Sequence, residues 1–330
     1  MLNKADQKPT HSVSSASDFA IEAKGLRKIY KGEKGEPDKE ALKDIDLQIP
    51  RGSIFGLLGP NGAGKSTFIN ILAGLVIKTS GTVRTWGFDI DVNPRQARVS
   101  IGVVPQELVI DVFFSPVEAL EIQAGLFGVP KAQRRTMEIL KAVGLDDKAN
   151  AYSRNLSGGM KRRLLIAKAL VHDPPVLILD EPTAGVDIEL RRQLWNYVNE
   201  LHERGVTIVL TTHYLEEAQA LCDTIAIINN GQVVACEPTP QLLQHIKEKT
   251  LIIQPASALP SVPSSLAELD AYIRADGSLA IQYDRSNDSA GDLLTKVREA
   301  GVEIGDLRTE ESDLEDIFMR LTYEAETPRS

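Results

Sequence analysis

The stretch GPNGAGKST, residues 59–67, places the strongest constraint on the fold of this chain. It fits the pattern G-x-x-x-x-G-K-[ST], and it lies between SIFGLLG (53–59), an apolar run typical of a buried strand, and KSTFINILAGLV (65–76), which has helical periodicity. Glycines let successive backbone N–H groups converge on phosphate oxygens, and the helix dipole favours their negative charge. The sequence therefore predicts a strand, a nucleotide-phosphate loop and a helix.

Individual residues of this loop have separate expected roles. Lys65 would reach the β and γ phosphates, and the Ser66 hydroxyl would ligate Mg²⁺. The positions expected to contact the nucleotide are Gly59, Pro60, Asn61, Gly62, Ala63, Gly64, Lys65, Ser66 and Thr67. The alternative is a chance glycine-rich turn, which the strand before the loop and the helix after it disfavour.

A pair of acids ends another apolar run, VLILDEP (176–182). Neighbouring side chains on a strand point to different faces, so Asp180 and Glu181 are expected to have different roles. We expect Asp180 to hold Mg²⁺, directly or through water, and Glu181 to polarise the attacking water. In the alternative interpretation, the two acids only cap the next helix.

Four single residues are weaker candidates when each is taken alone. Gln106, after GVVP, would bond to the metal or the water through a neutral amide, and His213, which ends TIVLTTH, would contact the γ-phosphate. Tyr30, which ends GLRKIY, would stack on adenine. Asp187 ends AGVD, just past the acidic pair. The histidine and the tyrosine each have a structural alternative, because such residues usually pack.

A second helix start with bare backbone amides occurs at LSGGM, residues 156–160. Ser157 would cap the helix or donate to a phosphate, and Gly158 and Gly159 leave their amides open to an anion. Spacing alone leaves three interpretations: a plain helix start, a contact to the same nucleotide, or a contact to the nucleotide of another molecule.

Charge and hydropathy exclude several classes of protein. The formal net charge of −9 argues against a nucleic-acid surface, so no nucleic-acid partner is expected. The longest apolar runs fall far short of the roughly 20 residues of a membrane helix. Residues 1–18 lack the apolar core of a signal peptide and are expected to form a disordered tail.

Strand and helix patterns predict an α/β fold with an appended module. Alternating strands and helices indicate a mostly parallel sheet, and β-rich runs between about Phe19 and Pro50 indicate an antiparallel layer. Ser115-Pro116-x-Glu118 fits a capping box at a helix start. Residues 244–324 are predicted to form a small α+β module with an Asp-Gly turn, and residues 325–330 are predicted to form a tail.

Taken in order, GPNGAGKST, VVPQE, LSGGMKRR, VLILDEPTAGVD and TIVLTTH resemble the ATP-binding subunits of ABC transporters over about residues 19–243. EPTAGVDIELRRQLW, LTTHYLEEAQALCD and DLEDIFMRLT are similar to the ATPases of the ABC type-2 export family, which serve drug, polysaccharide and lipid exporters. The resemblance implies a P-loop NTPase domain with an antiparallel β subdomain and a helical subdomain at about 107–160.

The resemblance also implies an ATPase that uses ATP and Mg²⁺, with a role for each candidate residue. Tyr30 matches the adenine-stacking aromatic residue, Gln106 the Mg²⁺-sensing glutamine and Glu181 the catalytic base. His213 matches the switch histidine, and Asp187 matches the acid that crosses the dimer interface. The stretch Ser157, Gly158 and Gly159 matches the signature that binds the γ-phosphate held by a second protomer.

The implied partners are a second ATPase protomer, either a copy of this chain or a close homologue, and a separate multi-span membrane permease. The expected location is peripheral, at the cytoplasmic face of the inner membrane. Residues 113–129 would bind a helix of the permease or would only pack in the core.

The alternative function is a soluble ATPase of DNA repair or translation. Such proteins normally insert long coiled coils between loop and signature, or carry two such domains, and neither pattern occurs here.

Overall fold

The computed structural model describes residues 18–32, 35–184, 186, 188–244, 248–266, 268–284, 288–311 and 314–322. These residues form two compact units. The first unit contains the described residues up to His213 together with Ile228–Val233, and the second contains Tyr214–Ile227 and the described residues from Val234 onward. The predicted tails lie outside the described residues, except Asp18.

The elements up to His213 are, in chain order, β1 (Phe19–Tyr30), β2 (Lys39–Pro50), β3 (Ile54–Leu58), α1 (Lys65–Leu72), β4 (Ser80–Thr85), β5 (Phe88–Asp89), α2 (Pro94–Val99), β6 (Ile101–Val104), α3 (Pro116–Leu126), α4 (Thr136–Ala142), α5 (Gly158–Leu170), β7 (Val176–Asp180), α6 (Ile188–Glu203) and β8 (Thr207–Thr211). Short 3₁₀ turns occur at Lys131–Gln133, Asp146–Lys148 and Ser153–Asn155.

The remaining elements are α7 (Leu215–Leu221), β9 (Thr224–Asn229), β10 (Gln232–Pro238), α8 (Thr239–Gln244), β11 (Glu248–Pro255), β12 (Asp270–Ile273), β13 (Leu279–Asp284), α9 (Ala290–Glu299), β14 (Ile304–Glu311) and α10 (Leu314–Thr322). A 3₁₀ turn occurs at Ser264–Leu266. Among all the described residues, no helix has the length and apolar character needed to cross a bilayer.

The central sheet has the strand order β10-β9-β3-β8-β7-β6. Strands β3, β8, β7 and β6 pair in parallel, and every residue of β3 and β8 is buried. Parallel strands covered on both faces require continuous apolar runs, which is why these segments lack alternation in the sequence. The predicted mostly parallel sheet is confirmed, and the carboxyl ends of β3, β7 and β8 lead into the candidate residues.

The predicted antiparallel layer is also confirmed. It is a separate sheet with the order β2-β1-β4-β5, in which the 12-residue strands β1 and β2 pair from Phe19 with Pro50 to Tyr30 with Lys39. This pairing brings Tyr30 to the end of the sheet, and the loop between the strands follows it directly.

A helical group lies between β6 and β7. Ser115 caps α3 through its hydroxyl, which accepts from the Glu118 N–H at 3.3 Å, while the Glu118 carboxylate accepts from the Ser115 N–H at 2.8 Å. Helices α3, α4 and α5 pack around a buried cluster that includes Leu120, Leu140, Val143, Leu145, Leu156 and Leu164. The predicted end of the helical subdomain near residue 160 falls in the first turn of α5.

The second unit contains the predicted α+β pattern. An antiparallel sheet with the order β12-β13-β11-β14 shares a core with α9, formed by residues such as Leu251, Ile253, Leu279, Ile281, Leu293 and Val297. The Asp-Gly turn joins β12 to β13, with Gly277 at φ 82°. Helix α10 packs against α7 and α8, and the Leu314 N–H donates to the Gln219 amide oxygen at 3.2 Å.

Candidate functional site

The glycine-rich loop between β3 and α1 passes so close to its neighbours that two positions require glycine. A Cβ at Gly59 would lie 2.1 Å from the Ile228 carbonyl oxygen. At Gly64, φ is 118° and a Cβ would lie 2.7 Å from the Ala41 carbonyl oxygen. A side chain at either position would push the loop away from the neighbouring backbone. Glycine therefore allows the close packing that holds the backbone N–H groups of the loop in place.

Lys65 lies at the first position of α1 and is buried, with 8% of its surface exposed. Its ammonium donates to the carbonyl oxygens of Gly59 at 2.6 Å and Pro60 at 3.1 Å, so it folds back over the loop. Burial lowers the pKa of Lys65, while the charges of Glu181 and Asp180 act in the opposite direction. An incoming phosphate would place an anion directly beside this buried ammonium and favour its charged form.

Asp180 ends β7 beside β8. Its Oδ1 accepts from the Thr211 hydroxyl at 2.6 Å, a bond that fixes the orientation of the carboxylate. Burial raises the pKa of Asp180, and the Thr211 hydrogen bond, Lys65 and Arg162 counteract that effect. A carboxylate that is partly buried and keeps one oxygen uncommitted to Thr211 is suited to bind a cation or its water.

Glu181 has a backbone conformation that few non-glycine residues adopt, with φ 46°. Its N–H donates to the carbonyl oxygen and the hydroxyl of Thr211, at 3.1 and 3.0 Å, and these two bonds hold the left-handed turn. The left-handed region costs an L-residue roughly 1–2 kcal/mol. Such strain typically persists where the surrounding structure requires one side-chain direction.

The Glu181 carboxylate meets two of the single-residue candidates. The Gln106 amide donates to its Oε2 at 2.8 Å, and His213 Nδ1 lies 3.4 Å from the same oxygen. The side chain of Glu181 is 14% exposed, whereas that of His213 is 53% exposed. A carboxylate, an amide and an imidazole from three strand ends therefore form one cluster.

This cluster and the loop share one cavity of 660 Å³. Its lining includes Tyr30, Lys39, Ala41, the seven loop residues 61–67, Gln106, Glu181 and His213. Gly59, Pro60 and Asp180 are not part of the lining. Gly59 and Pro60 hold Lys65 through their carbonyls, and Asp180 lies against Thr211.

The predicted signature residues lie elsewhere on the first unit. Ser157 and Gly158 are exposed and do not line the cavity, and a Cβ on Gly158 would meet no atom within 4 Å. The Ser157 hydroxyl accepts from the Met160 N–H at 3.3 Å, as a helix cap. Their role toward a phosphate stays a prediction. Asp187 lies outside the described residues.

Sequence reasoning missed Thr211 and Arg162. The sequence signal for Thr211 was a hydroxyl at the end of an apolar strand run, but its two partners are set only by strand pairing. Arg162 is buried in α5, donates to the Pro105 carbonyl oxygen at 2.8 Å, and interacts electrostatically with Asp180 and Glu181. Burial lowers the pKa of Arg162. Arg162 thus connects α5, which Ser157 caps, to the segment before Gln106.

A second cavity in the first unit, of 720 Å³, is largely apolar and is called here the basic groove. Its lining includes Leu75, Val109 and Leu126 together with Arg95, Arg98 and Lys168. Leu75 and Leu126 are 76% and 79% exposed. The described residues that line the groove include no acid.

Comparison with known proteins agrees with this geometry. The family model described as ABC transporter matches residues 42–184. The chain is 37% identical over 321 residues to the Nod factor export ATP-binding protein I of Ralstonia nicotianae, covering 96% of this chain and 97% of that protein. It is 35% identical over 318 residues to the daunorubicin/doxorubicin resistance ATP-binding protein of Streptomyces peucetius, covering 94% of each chain.

Among solved structures, a dimeric ATP-binding cassette in a post-hydrolysis state, bound to ADP and phosphate, matches with a TM-score of 0.60 and 28% identity. The match covers 66% of this chain and 98% of that one. Sequence and structural similarity thus extend over the loop, the acidic pair and the sheet that carries them. The chain belongs to the ABC transporter family, as one of its ATP-binding subunits with ATPase activity.

Proposed function

We propose that this chain is the ATPase motor of an exporter, in which ATP closes two protomers on each other and hydrolysis lets them separate. The observation that carries the proposal is the asymmetry of the first unit. The cavity gathers the loop, Gln106, Glu181 and His213, whereas the signature residue Ser157 lies outside it. A phosphate-binding cavity together with a second, exposed helix start that does not line it fits a site that is completed by a second molecule.

The cavity residues suit each part of ATP and of Mg²⁺. Tyr30 would stack on adenine, the loop amides and Lys65 would bind the phosphates, and Ser66 and Gln106 would offer oxygen ligands to Mg²⁺. Asp180 would act on the metal through water, because it does not line the cavity. Mg²⁺ binds few protein oxygens beside phosphate and water, and this small donor set fits that preference. When bound, the metal would neutralise charge that develops on the phosphates.

Glu181 is proposed as the general base. Its carboxylate takes a proton from water while the water oxygen attacks the γ-phosphorus, and the bond to the ADP oxygen breaks with its electron pair on ADP. The Gln106 amide and His213 hold the carboxylate at Oε2. General-base catalysis contributes typically 10²–10⁴-fold to a rate, which sets the loss expected when the base is removed.

The second protomer is proposed to be a copy of this chain that offers Ser157, Gly158 and Gly159 to the γ-phosphate. The open space around Gly158 supports this role, because a phosphate oxygen can approach the start of α5. Asp187 is proposed to cross the same interface. The dimeric cassette with ADP and phosphate supports the arrangement by analogy.

A separate multi-span membrane subunit is proposed to insert a cytoplasmic helix into the basic groove. Exposed Leu75 and Leu126 provide its apolar contacts. Arg95, Arg98 and Lys168 occur without an acid among the described lining residues, although the whole chain has a net charge of −9. The complementary helix is therefore amphipathic and carries acidic side chains. This partner would hold the chain at the cytoplasmic face of the inner membrane.

Export is proposed rather than DNA repair or translation, because two relatives are named for export of Nod factor and for resistance to daunorubicin and doxorubicin. The proposed ATPase domain spans 19–243, with its helical subdomain at about 107–160, and an accessory module spans 244–324.

The test is a co-purification of tagged Glu181→Gln protein from membranes of its native cell, in mild detergent with ATP and Mg²⁺. We expect a polytopic subunit to be recovered. Adding Lys168→Glu should reduce that recovery several-fold, because it places an acid opposite an acidic helix. Adding Lys296→Glu, the same charge reversal at an exposed position outside the basic groove, should leave the recovery at the level of Glu181→Gln alone. Recovery of only ribosomal or DNA-associated proteins would contradict the exporter assignment.

A further inference from the structure

The tyrosine at the edge of the nucleotide cavity has a lysine on one side of its ring. Lys28 Nζ lies 4.6 Å from the centre of the Tyr30 ring, within the range of a cation–π contact. The same ammonium donates to the Ile77 carbonyl oxygen at 2.8 Å. The lysine is thus held between the ring and the segment that follows α1.

The ring borders the nucleotide cavity and the lysine does not. Tyr30 lines the cavity and is 37% exposed, whereas Lys28 is not among the lining residues. One face of the ring is therefore covered by a cation, and a planar base that enters the cavity has the opposite face to stack on.

The segment that contains Ile77, the hydrogen-bond acceptor of Lys28, is attached to β1 by two further hydrogen bonds. The Ile29 N–H donates to the Thr79 hydroxyl at 2.9 Å, and the Thr79 N–H donates to the Arg27 carbonyl oxygen at 2.9 Å. The backbone acceptor of the ammonium is consequently held in place relative to β1, so the ammonium restrains the tilt of the ring before any ligand arrives. A ring that is already oriented loses less freedom when a base stacks on it.

We propose that Lys28 is a positioning residue for recognition of the adenine base, acting through Tyr30 and not through the phosphates. The inference rests on the proposed role of Tyr30 in nucleotide binding. It predicts that the affinity for nucleotide depends on Lys28 only while the aromatic ring is present.

The test is a double-mutant cycle on ADP affinity, measured by titration calorimetry, with Lys28→Met, Tyr30→Ala and the double variant. We expect Lys28→Met to weaken ADP binding about threefold in the parent and to have no further effect in Tyr30→Ala, and Lys28→Arg to restore the affinity, since a guanidinium also binds a ring face. Lys24→Met, which removes an exposed lysine from the same strand, is the matched control and should bind ADP normally.

Two results would overturn the inference alone: a normal ADP affinity in Lys28→Met while Tyr30→Ala is weakened, or an equal loss from Lys28→Met in both backgrounds, which would place its effect on the phosphates. An unchanged affinity in Tyr30→Ala would instead overturn the adenine-stacking role in the proposed function, and this inference with it.

Discussion

Glycines and serines occur at the starts of both α1 and α5 in the first unit, and these two helix starts differ in packing, in burial and in the groups around them. At Lys65 the loop is packed against neighbouring backbone, its lysine is buried, and Glu181 and His213 line the same cavity. The start of α5 is exposed, and the Ser157 hydroxyl caps it. The difference teaches that one helix start is prepared for an anion within this chain, while the other is exposed, as the proposed contact with a second protomer requires.

The largest effect is expected from removing the buried ammonium of Lys65. Lys65→Ala should lower ATP affinity by at least about a hundredfold, because the phosphate charge loses its buried ammonium. Titration calorimetry of ATP binding measures this change, and Lys141→Ala, an exposed lysine on α4, should bind ATP as the wild type does. Unchanged binding in Lys65→Ala would remove the distinction between the two helix starts.

A bulky cation at the exposed helix start should separate binding from turnover. Ser157→Arg is expected to leave ATP affinity within about twofold of the wild type and to lower the ATPase rate by about a hundredfold, because the arginine blocks approach of a second protomer. Steady-state phosphate release at saturating ATP measures the rate.

Ser289 offers the matched control for this variant. It caps α9 in the second unit, and its hydroxyl accepts from the Gly291 N–H at 3.1 Å. Ser289→Arg and Ser157→Arg should each lose about 1 kcal/mol of helix-cap stability. If the two variants kept the same ATPase rate, Ser157 would be no more than a cap.

The smallest expected effect is on thermal stability. It tests whether the partly buried charge of Asp180 at the first site destabilises the fold. Burial raises the pKa of Asp180, so its ionised form destabilises the nucleotide-free protein, and this penalty disappears as the pH falls through the raised pKa. Asp180→Asn should therefore raise the thermal midpoint at neutral pH by about 2 °C, with a smaller gain in acid, while it lowers the ATPase rate.

Scanning calorimetry at two pH values checks this prediction, with Asp147→Asn at an exposed position as the control. A lower midpoint in Asp180→Asn at neutral pH, or a gain that grows on acidification, would contradict the assigned sign.

The sequence is sufficient to predict the parts of the fold and site that depend on local pattern. Continuous apolar runs predict the buried parallel strands, and the loop, Asp180 and Glu181 follow at their carboxyl ends. The left-handed backbone of Glu181 and its contacts with Gln106 and His213 depend on how three strands pair, which no local pattern encodes. Arg162 was missed for the same reason, because only the packing of α5 brings it to the acidic pair.

A second copy of the chain is proposed to complete the ATP site, and light scattering of the Glu181→Gln protein in saturating ATP and Mg²⁺ tests that claim most directly. The slow variant should have twice the 36.1 kDa mass of one chain, and the monomer mass once Ser157→Arg is added. A monomer mass for Glu181→Gln under conditions in which calorimetry shows ATP bound would contradict the shared site.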